Sequence, residues 1–320
     1  MTILLVTRST DEHGTPRVEA ALRRRGADVF RLDTDRFPGD VRLAFDETGH
    51  ATLIDGDRRL ALADVTAVWH RRSDVGARLS LDIDPDQRRV ALTEARLVLD
   101  DLLGALPAFA IDPMPTHQAA ARKGRQLHLA REVGLRVPRT VIGNDPAAVR
   151  ALAAACPDGI VTKMMHFFML DAPQGTASLF TTPVTQDDLA ALDDGLPLCP
   201  MTFQERIQKA REHRVTLVGD RLWSAAIDSQ RRDRAKTDWR REGHGMITEW
   251  RPAPLPAAVE AKLRALMTRL GLVYGAIDLI ETPQGEHVFL EVNPAGEYFW
   301  LEDICGFPIS DAIAERLIAA

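Results

Sequence analysis

The chain has 320 residues, 45% of them hydrophobic and 27% charged, with a formal net charge of −6. That length allows two or three domains with substantial cores. The acidic balance argues against a general nucleic-acid binder, and no apolar run approaches the roughly 18 residues of a membrane span. Three widely spaced cysteines, Cys156, Cys199 and Cys305, form no CxxC pair, and the N-terminus MTILLVTRS lacks the regions of a signal peptide. A reduced, cytoplasmic protein is the simplest expectation.

Ile3–Thr7 reads as a short apolar strand, Pro16–Arg25 as an amphipathic helix and Asp28–Leu32 as a second strand. This βαβ opening predicts a parallel sheet. The turn between the first strand and the helix has no GxGxxG, so a dinucleotide site has little support. Val41–Phe45 and Ala51–Ile54 alternate around Glu47-Thr48-Gly49 as a hairpin. Ala67–Trp69 is a further strand ending in His70-Arg71-Arg72, basic residues that either reach a phosphate or substrate or lie solvated at the strand end. Pro85–Leu106 is a long amphipathic helix, and the Pro-rich IDPMP at 111–115 reads as a linker closing a first α/β domain, residues 1–114.

A second unit, residues 115–200, opens with Thr116 capping a helix through HQAAARKGRQLHLAREVGL. Lys123 shares its apolar face, because Ala119, Ala120, Leu127 and Ala130 lie at −4, −3, +4 and +7 from it. Val137–Ile142 is a strand, and Asp145-Pro146 caps and starts the next helix. In the strand Ile160–Met165, Lys163 shares a face with Val161 and Met165, a poor place for an ammonium without an anion. Snorkelling accounts for either lysine alone. The stretch HFFMLDAPQGTAS then has Gly175 as its only glycine before Ser178–Thr182 resumes a strand. Thr185–Leu192 reads as a short helix with Asp187 and Asp188 in its first turn, where the helix dipole alone can explain them.

A third unit, residues 201–320, begins with the strand Phe203–Ile207 (FQERI), followed by Val215–Val218 and Leu222–Ile227 paired around Gly219-Asp220. Ser229–Arg241 sets six Arg and Lys residues against Asp233 and Asp238. Such a run is usually a solvated loop, yet it is the best local anion attractor in an acidic chain. A helix Pro256–Leu270 ends at Gly271, and Ser310–Ile318 closes the chain as a helix. Between them, Val273–Thr282 and His287–Val292 form a hairpin joined by Pro283-Gln284-Gly285-Glu286. If Thr282 faces His287, regular alternation sets Asp278 opposite Glu291 and turns Asn293 the same way. Two carboxylates and an amide oxygen inside apolar strands suit Mg²⁺, which takes one or two carboxylates and leaves its other positions to water and phosphate. The bland alternative is a hairpin with one wet, acidic face.

Asp278 in GAIDL, followed by LEVNPAGEYFW, resembles the metal-binding end of an ATP-grasp ligase. The wording PAGEYFW, with DWRR at 238–241, is similar to the ATP-grasp maturases that cross-link ribosomal peptides, the microviridin-type graspetide synthetases. The likeness runs from about Thr116 to the C-terminus and is weaker before it, where only the βαβ opening and WHRR support it. It implies an α/β and α+β chain: an ATP-grasp fold of two α+β subdomains behind an N-terminal α/β pre-ATP-grasp domain. It further implies that Lys123 and Lys163 bind the phosphates of ATP, that Gln204, Glu205 and Ile207 line adenine mainly through backbone groups, and that Glu212 takes the ribose hydroxyls. Arg214 and Arg240 become the catalytic candidates, Asp278, Glu291 and Asn293 the Mg²⁺ ligands, and Asp187 and Asp188 the receptors of a leader-peptide arginine. The glycine-poor 166–178 stretch departs from the Gly-rich loop that covers the phosphates in many such enzymes.

The reaction implied is phosphorylation of Asp or Glu side chains of a precursor peptide by ATP. Displacement of phosphate by a Thr/Ser hydroxyl or a Lys amine then closes an ω-ester or ω-amide macrocycle. The expected cofactors are ATP and Mg²⁺. The expected partner is a ribosomal precursor peptide, leader and core, with a homodimer left open and neither nucleic acid nor membrane involved. A RimK-like or glutathione-synthetase-like ligase on a small molecule or protein tail is the second reading. A nucleotide-binding module without turnover is the third, and the intact acidic and basic set argues against it.

Overall fold

The computed structural model describes residues 1–165, 169–172, 175–178, 180–242 and 244–320. β1 (Thr2–Thr7), α1 (Gly14–Arg24) and β2 (Asp28–Asp33) form the expected parallel unit. An antiparallel meander follows, β3 (Val41–Phe45), β4 (Ala51–Asp55) and β5 (Arg58–Ala61). The chain returns through β6 (Val65–His70), α2 (Pro85–Ala105) and β7 (Phe109–Ile111) to give a four-stranded parallel sheet of order β2-β1-β6-β7. β1 is buried on both faces, as its unbroken apolar run requires. Its Ile3 and Leu5 join Val18 and Leu22 of α1, while Leu4 and Val6 join Leu99 and Leu102 of α2.

IDPMP is not a linker. Ile111 ends β7 in the core, and the buried carboxylate of Asp112 accepts hydrogen bonds from the backbone N–H groups of Val273 (2.8 Å) and Tyr274 (3.1 Å). The single helix expected from Thr116 is also two: α3 (Met114–Ala120), with Pro113 at its N-cap, and α4 (Lys123–Glu132). Arg122 leaves the helical conformation, and the Ala120 carbonyl is taken by the buried amide of Gln126 (2.6 Å). Lys123 thus opens a helix.

β8 (Thr140–Gly143), α5 (Pro146–Ala155), β9 (Ile160–Lys163), the hairpin β10 (Met169–Ala172) and β11 (Gly175–Ser178), β12 (Thr182–Pro183), α6 (Gln186–Ala190), α7 (Leu192–Gly195) and β13 (Met201–Glu205) make up the middle of the chain. β13 lies between β8 and β9 in a sheet of order β12-β9-β13-β8. A division at 200/201 would cut β13 from the sheet it completes; we propose that the middle unit runs to Glu205.

The last unit contains β14 (Arg211–Val218), β15 (Arg221–Ile227), α8 (His244–Ile247), β16 (Arg251–Pro252), α9 (Ala257–Leu270), β17 (Tyr274–Glu281), β18 (His287–Asn293), α10 (Phe299–Cys305) and α11 (Ile309–Ile318). Its antiparallel sheet has the order β16-β15-β14-β17-β18. α4 and α9 cover one face, where Leu129, Leu263, Leu266 and Leu270 pack on Val215, Leu217, Ile277, Leu279, Phe289 and Val292. The other face is left for chemistry. The 229–241 run is a series of short 3-10 turns folded over buried Ala235 and Asp238, with most of its charged side chains exposed as expected of a solvated run. α11 packs on α1, so the chain's end shares a core with its first sheet.

Candidate active site

Near its turn the hairpin is one residue out of the expected register: Glu281, not Thr282, pairs with His287, and Leu279 pairs with Phe289. A bulge then leaves Leu290 unpaired, and Asp278 meets Glu291 after all. The bulge also resolves a conflict of faces. Phe289 belongs to the helix-covered core, and regular alternation would carry Glu291 there with it. The extra residue flips the parity, so Val292 faces the core while Glu291 and Asn293 face away with Asp278.

On that open face the Asn293 Nδ2 donates to Glu291 Oε1 (3.1 Å), which leaves Asn293 Oδ1 unpartnered among the described residues. Arg214 stands directly across from Asp278 on β14 and pairs with it at 2.7 Å. Its other amino group donates to the Glu297 carbonyl (3.1 Å). Gly296 is needed here, because any side chain would collide with Ala276 and crowd Arg214. Lys123, projecting from the start of α4, pairs with Glu291. Burial works against the Glu291 carboxylate, but Lys123 and Lys163, with hydrogen bonds from Lys123 and Asn293, hold its pKa well below the usual range. Burial pushes the Lys163 ammonium down, with Glu291 opposing that shift and Lys123 adding to it. Arg240 is gripped at both edges by buried Asp238 (2.8 and 2.7 Å). Burial opposes its charge and is outweighed by Asp238 and, further off, by Asp278 and Glu291. The structure therefore brings Lys123, Lys163, Arg214, Arg240, Asp278, Glu291 and Asn293 to one place. Hard oxygen donors surrounded by an excess of cations fit a divalent metal carried on a polyphosphate.

The remaining expected residues lie elsewhere. Gln204 is buried and donates to Thr140 Oγ1 (3.0 Å). The Glu205 carboxylate turns aside to Arg136 (3.3 Å) and the Arg139 N–H (3.1 Å), leaving only its backbone for a base. Ile207 is half-buried just past β13. Glu212 is held by Lys209 (2.8 Å); burial raises its pKa and Lys209 opposes that rise. These four residues flank the passage from the middle sheet to the last one. Asp187 and Asp188 are exposed and apart from the cluster. Asp188 forms a capping box with Thr185, its Oδ2 accepting from the Thr185 N–H (2.8 Å) and hydroxyl (2.8 Å). The part of the glycine-poor stretch at 166–168 and 173–174 lies outside the described residues.

Sequence reasoning missed the supports. Gln126 donates to the Val292 carbonyl (2.8 Å) and accepts from its N–H (3.0 Å), so α4 fixes β18. Arg71 is neither solvated nor within reach of a substrate: it is buried and bonds to Glu297 and to the carbonyls of Ala295 and Gly296, with Asp11 at 3.5 Å. Arg72 takes the other oxygen of Glu297 (2.8 Å). The acidic residue of PAGE was the available signal, but its partners stand more than 220 positions away.

Residues 2–118 match the family model of the MvdD pre-ATP grasp domain. The macrocyclase MdnC of Microcystis aeruginosa MRC, solved with the precursor peptide MdnA, is 41% identical over 100% of both chains, with a TM-score of 0.91. A RiPP-associated ATP-grasp ligase of Chryseobacterium gregarium, solved with ADP and a leader and core peptide, is 32% identical over 99% of this chain and 96% of its own, with a TM-score of 0.94. A RimK domain ATP-grasp protein of Sphaerobacter thermophilus DSM 20745, at 17% identity over 99% of both chains and a TM-score of 0.58, shares the fold alone. A search of curated proteins gave no match. Fold, open-face cluster and full-length likeness agree, and the chain belongs to the ATP-grasp maturases of ribosomal peptides, with a pre-ATP-grasp domain at its N-terminus.

Proposed function

We propose that this protein activates Asp or Glu side chains of a ribosomal precursor peptide with ATP and closes them onto Thr/Ser hydroxyls or Lys amines as ω-ester or ω-amide macrocycles. The observation that carries this reading is the open-face cluster, set in a chain alike from end to end to a macrocyclase solved with its precursor peptide. Asp278, Glu291 and Asn293 would hold Mg²⁺, and the free Asn293 Oδ1 suits that task. The ion would supply charge neutralisation between the phosphates. Lys123 then exchanges its carboxylate partner for phosphate oxygens, and Lys163 adds a second cation beside it. Arg214, held in place by Glu297, presents its fork to the transferring phosphoryl group, and Arg240, steadied by Asp238, faces the same space. A substrate carboxylate oxygen attacks the γ-phosphorus and ADP departs. The peptide's hydroxyl or amine next attacks the acyl carbon, and phosphate leaves.

Adenine would rest on the backbone at Gln204, Glu205 and Ile207, and the ribose hydroxyls on Glu212, which Lys209 holds in place (2.8 Å). The leader would place a basic residue at Asp187 and Asp188. No helix among the described residues is long and apolar enough to cross a membrane, and all three cysteines are free, which supports action in the cytoplasm. A ligase for a small molecule is the weaker reading, because the RimK-domain likeness carries the fold alone.

The test is to incubate the enzyme, ATP and Mg²⁺ with the acidic, Thr/Ser- or Lys-containing precursor encoded beside the gene. Loss of one water per ring, matched by ADP release, is expected by mass spectrometry. ADP release with a small carboxylate and amine, and none with the peptide, would overturn the reading.

A further inference from the structure

The N-terminal sheet has a feature that the reaction above does not use. From β1 the chain passes through α1 to β2 on one side, and β6 then joins β1 on the other side. The carboxyl ends of β1 and β6 therefore border a topological switch point, the crevice where open α/β sheets take their ligands. Arg8 follows β1 directly, and Arg71 and Arg72 follow β6. Arg71 is spent on Glu297 and Asp11, which leaves Arg8 and Arg72 at the crevice.

The two are short of negative charge. The neighbouring acids are engaged elsewhere: Asp33 pairs with Arg31 (2.8 Å), and Asp35 holds the Ser9 N–H and hydroxyl (2.7 and 2.5 Å). Arg72 shares Glu297 with Arg71 and keeps part of its side chain in solvent. Arg8 forms no ion pair among the described residues, and its Nε is buried without a hydrogen-bond partner. Its charge acts on Arg72, whose pKa is lowered by burial first and then by Arg71, with Arg8 contributing. Arg71 and Arg72 thus share two carboxylates, Asp11 and Glu297, and Arg8 stands near Arg72 with no acid of its own among the described residues. The crevice also adjoins the chemistry, because the Glu297 carbonyl holds Arg214 and Arg214 holds Asp278.

We propose that Arg8 and Arg72 form a receiving site for an acidic side chain of the core peptide, so that the N-terminal domain selects the carboxylate presented to the open-face cluster. This rests on the peptide reading above. A planar fork suits a carboxylate, and the unpartnered Nε of Arg8 supplies one buried donor. A Gln side chain in the peptide would leave Arg8 without an anion and Arg72 with only its share of Glu297.

The experiment has two arms. In the first, Arg8→Gln and Arg72→Gln are compared with the unaltered protein for peptide KM and for ATP affinity. The peptide KM should rise about tenfold in each, the loss of one charge-assisted hydrogen bond, with ATP affinity retained and Arg→Lys restoring part of the loss. In the second arm, calorimetry compares a blocked peptide containing Glu with its Gln counterpart, and needs no turnover. The unaltered protein should prefer the Glu peptide, and either variant should lose that preference. Ring formation with unchanged peptide KM in both variants would overturn the crevice and leave the macrocyclase reading standing. No ring formation by the unaltered protein would overturn the macrocyclase reading, and equal binding of the Glu and Gln peptides would overturn the crevice.

Discussion

The hairpin of β17 and β18 carries a set of polar groups on each face, and the two sets have opposite characters. On the open face, Asp278, Glu291 and Asn293 offer oxygen ligands, and their cations reach in from four separate elements, α4, β9, β14 and the turn at 239–242. On the helix-covered side, Glu281 is closed in by Arg211 (2.7 Å) and His213 (2.9 Å). The other nitrogen of His213 meets Ser224 (3.3 Å), and the His287 ring lies 5.3 Å from that of His213. Two histidines and a carboxylate have the composition of a transition-metal site. Here Glu281 and His213 already satisfy each other within strands of a single sheet. The open face keeps unspent valence among the described residues: an amide oxygen, and a lysine, Lys123, whose partner phosphate can replace. A cluster closed by its own strands tends to be structural, and one closed from neighbouring elements is available for exchange.

The sharpest way to break this contrast is one substitution on each face. Glu291→Gln should stay folded and lose at least ~10²-fold in turnover, because the amide carries no charge to hold a metal. Glu281→Gln should leave turnover within about threefold and lower the melting temperature by a few degrees, the loss of a hydrogen-bonded charge. Normal turnover of a well-folded Glu291→Gln protein would end the metal assignment.

The next test sorts the cations. Arg214→Ala should lower kcat by roughly 10²–10³, as for other groups aimed at developing charge. Lys123→Ala and Lys163→Ala should chiefly raise the KM for ATP. If all three variants lose ATP affinity alike at unaltered kcat, Arg214 is a binding residue only.

A smaller effect is expected at α6. Asp188→Asn keeps an acceptor for the Thr185 cap while removing the charge. If a leader arginine becomes buried against it, calorimetry should register a loss of about 30-fold in leader affinity; an exposed pair would yield less than about fivefold. Unchanged affinity would return Asp188 to its capping role alone.

The smallest is a pH effect on the closed cluster. Burial lowers the His213 pKa, with Glu281 opposing and His287 and Arg211 contributing to the shift. The unfolded chain then binds the extra proton first, so stability should decline as pH falls below about 6.5. His213→Asn should flatten that decline, and equal slopes in thermal melts would show that His213 is not responsible.

How far the sequence could be read depended on the range of the interaction that decides each feature. Asp278, Glu291 and Asn293 stand out because acids inside apolar strands demand a partner. The Gly219-Asp220 turn and the Asp145-Pro146 cap are equally local. The bulge at Leu290 was not readable, because Phe289 and Glu291 share a parity in the sequence and only the packing of α4 and α9 separates them. Nor was the break before Lys123, which Gln126 secures through a strand 166 positions away. β5 was overlooked because Arg58 and Arg59 hide a strand behind two charges. Arg71 reads from sequence as either substrate-facing or solvated, because its partner Glu297 lies 226 positions away.

Arg71 also bears on how such proteins can be recombined. The family model for the first domain ends at residue 118, which invites its use as an exchangeable cassette. Yet the guanidinium buried in that domain finds its anion and two of its carbonyls at residues 295–297. A graft that carried the cassette alone into a host without that loop would leave the buried guanidinium with Asp11 alone, at 3.5 Å, and breaking one side of such a buried pair costs up to ~3–5 kcal/mol. The transferable piece is the first domain together with the PAGE loop, two stretches of chain that inheritance could move independently and folding cannot.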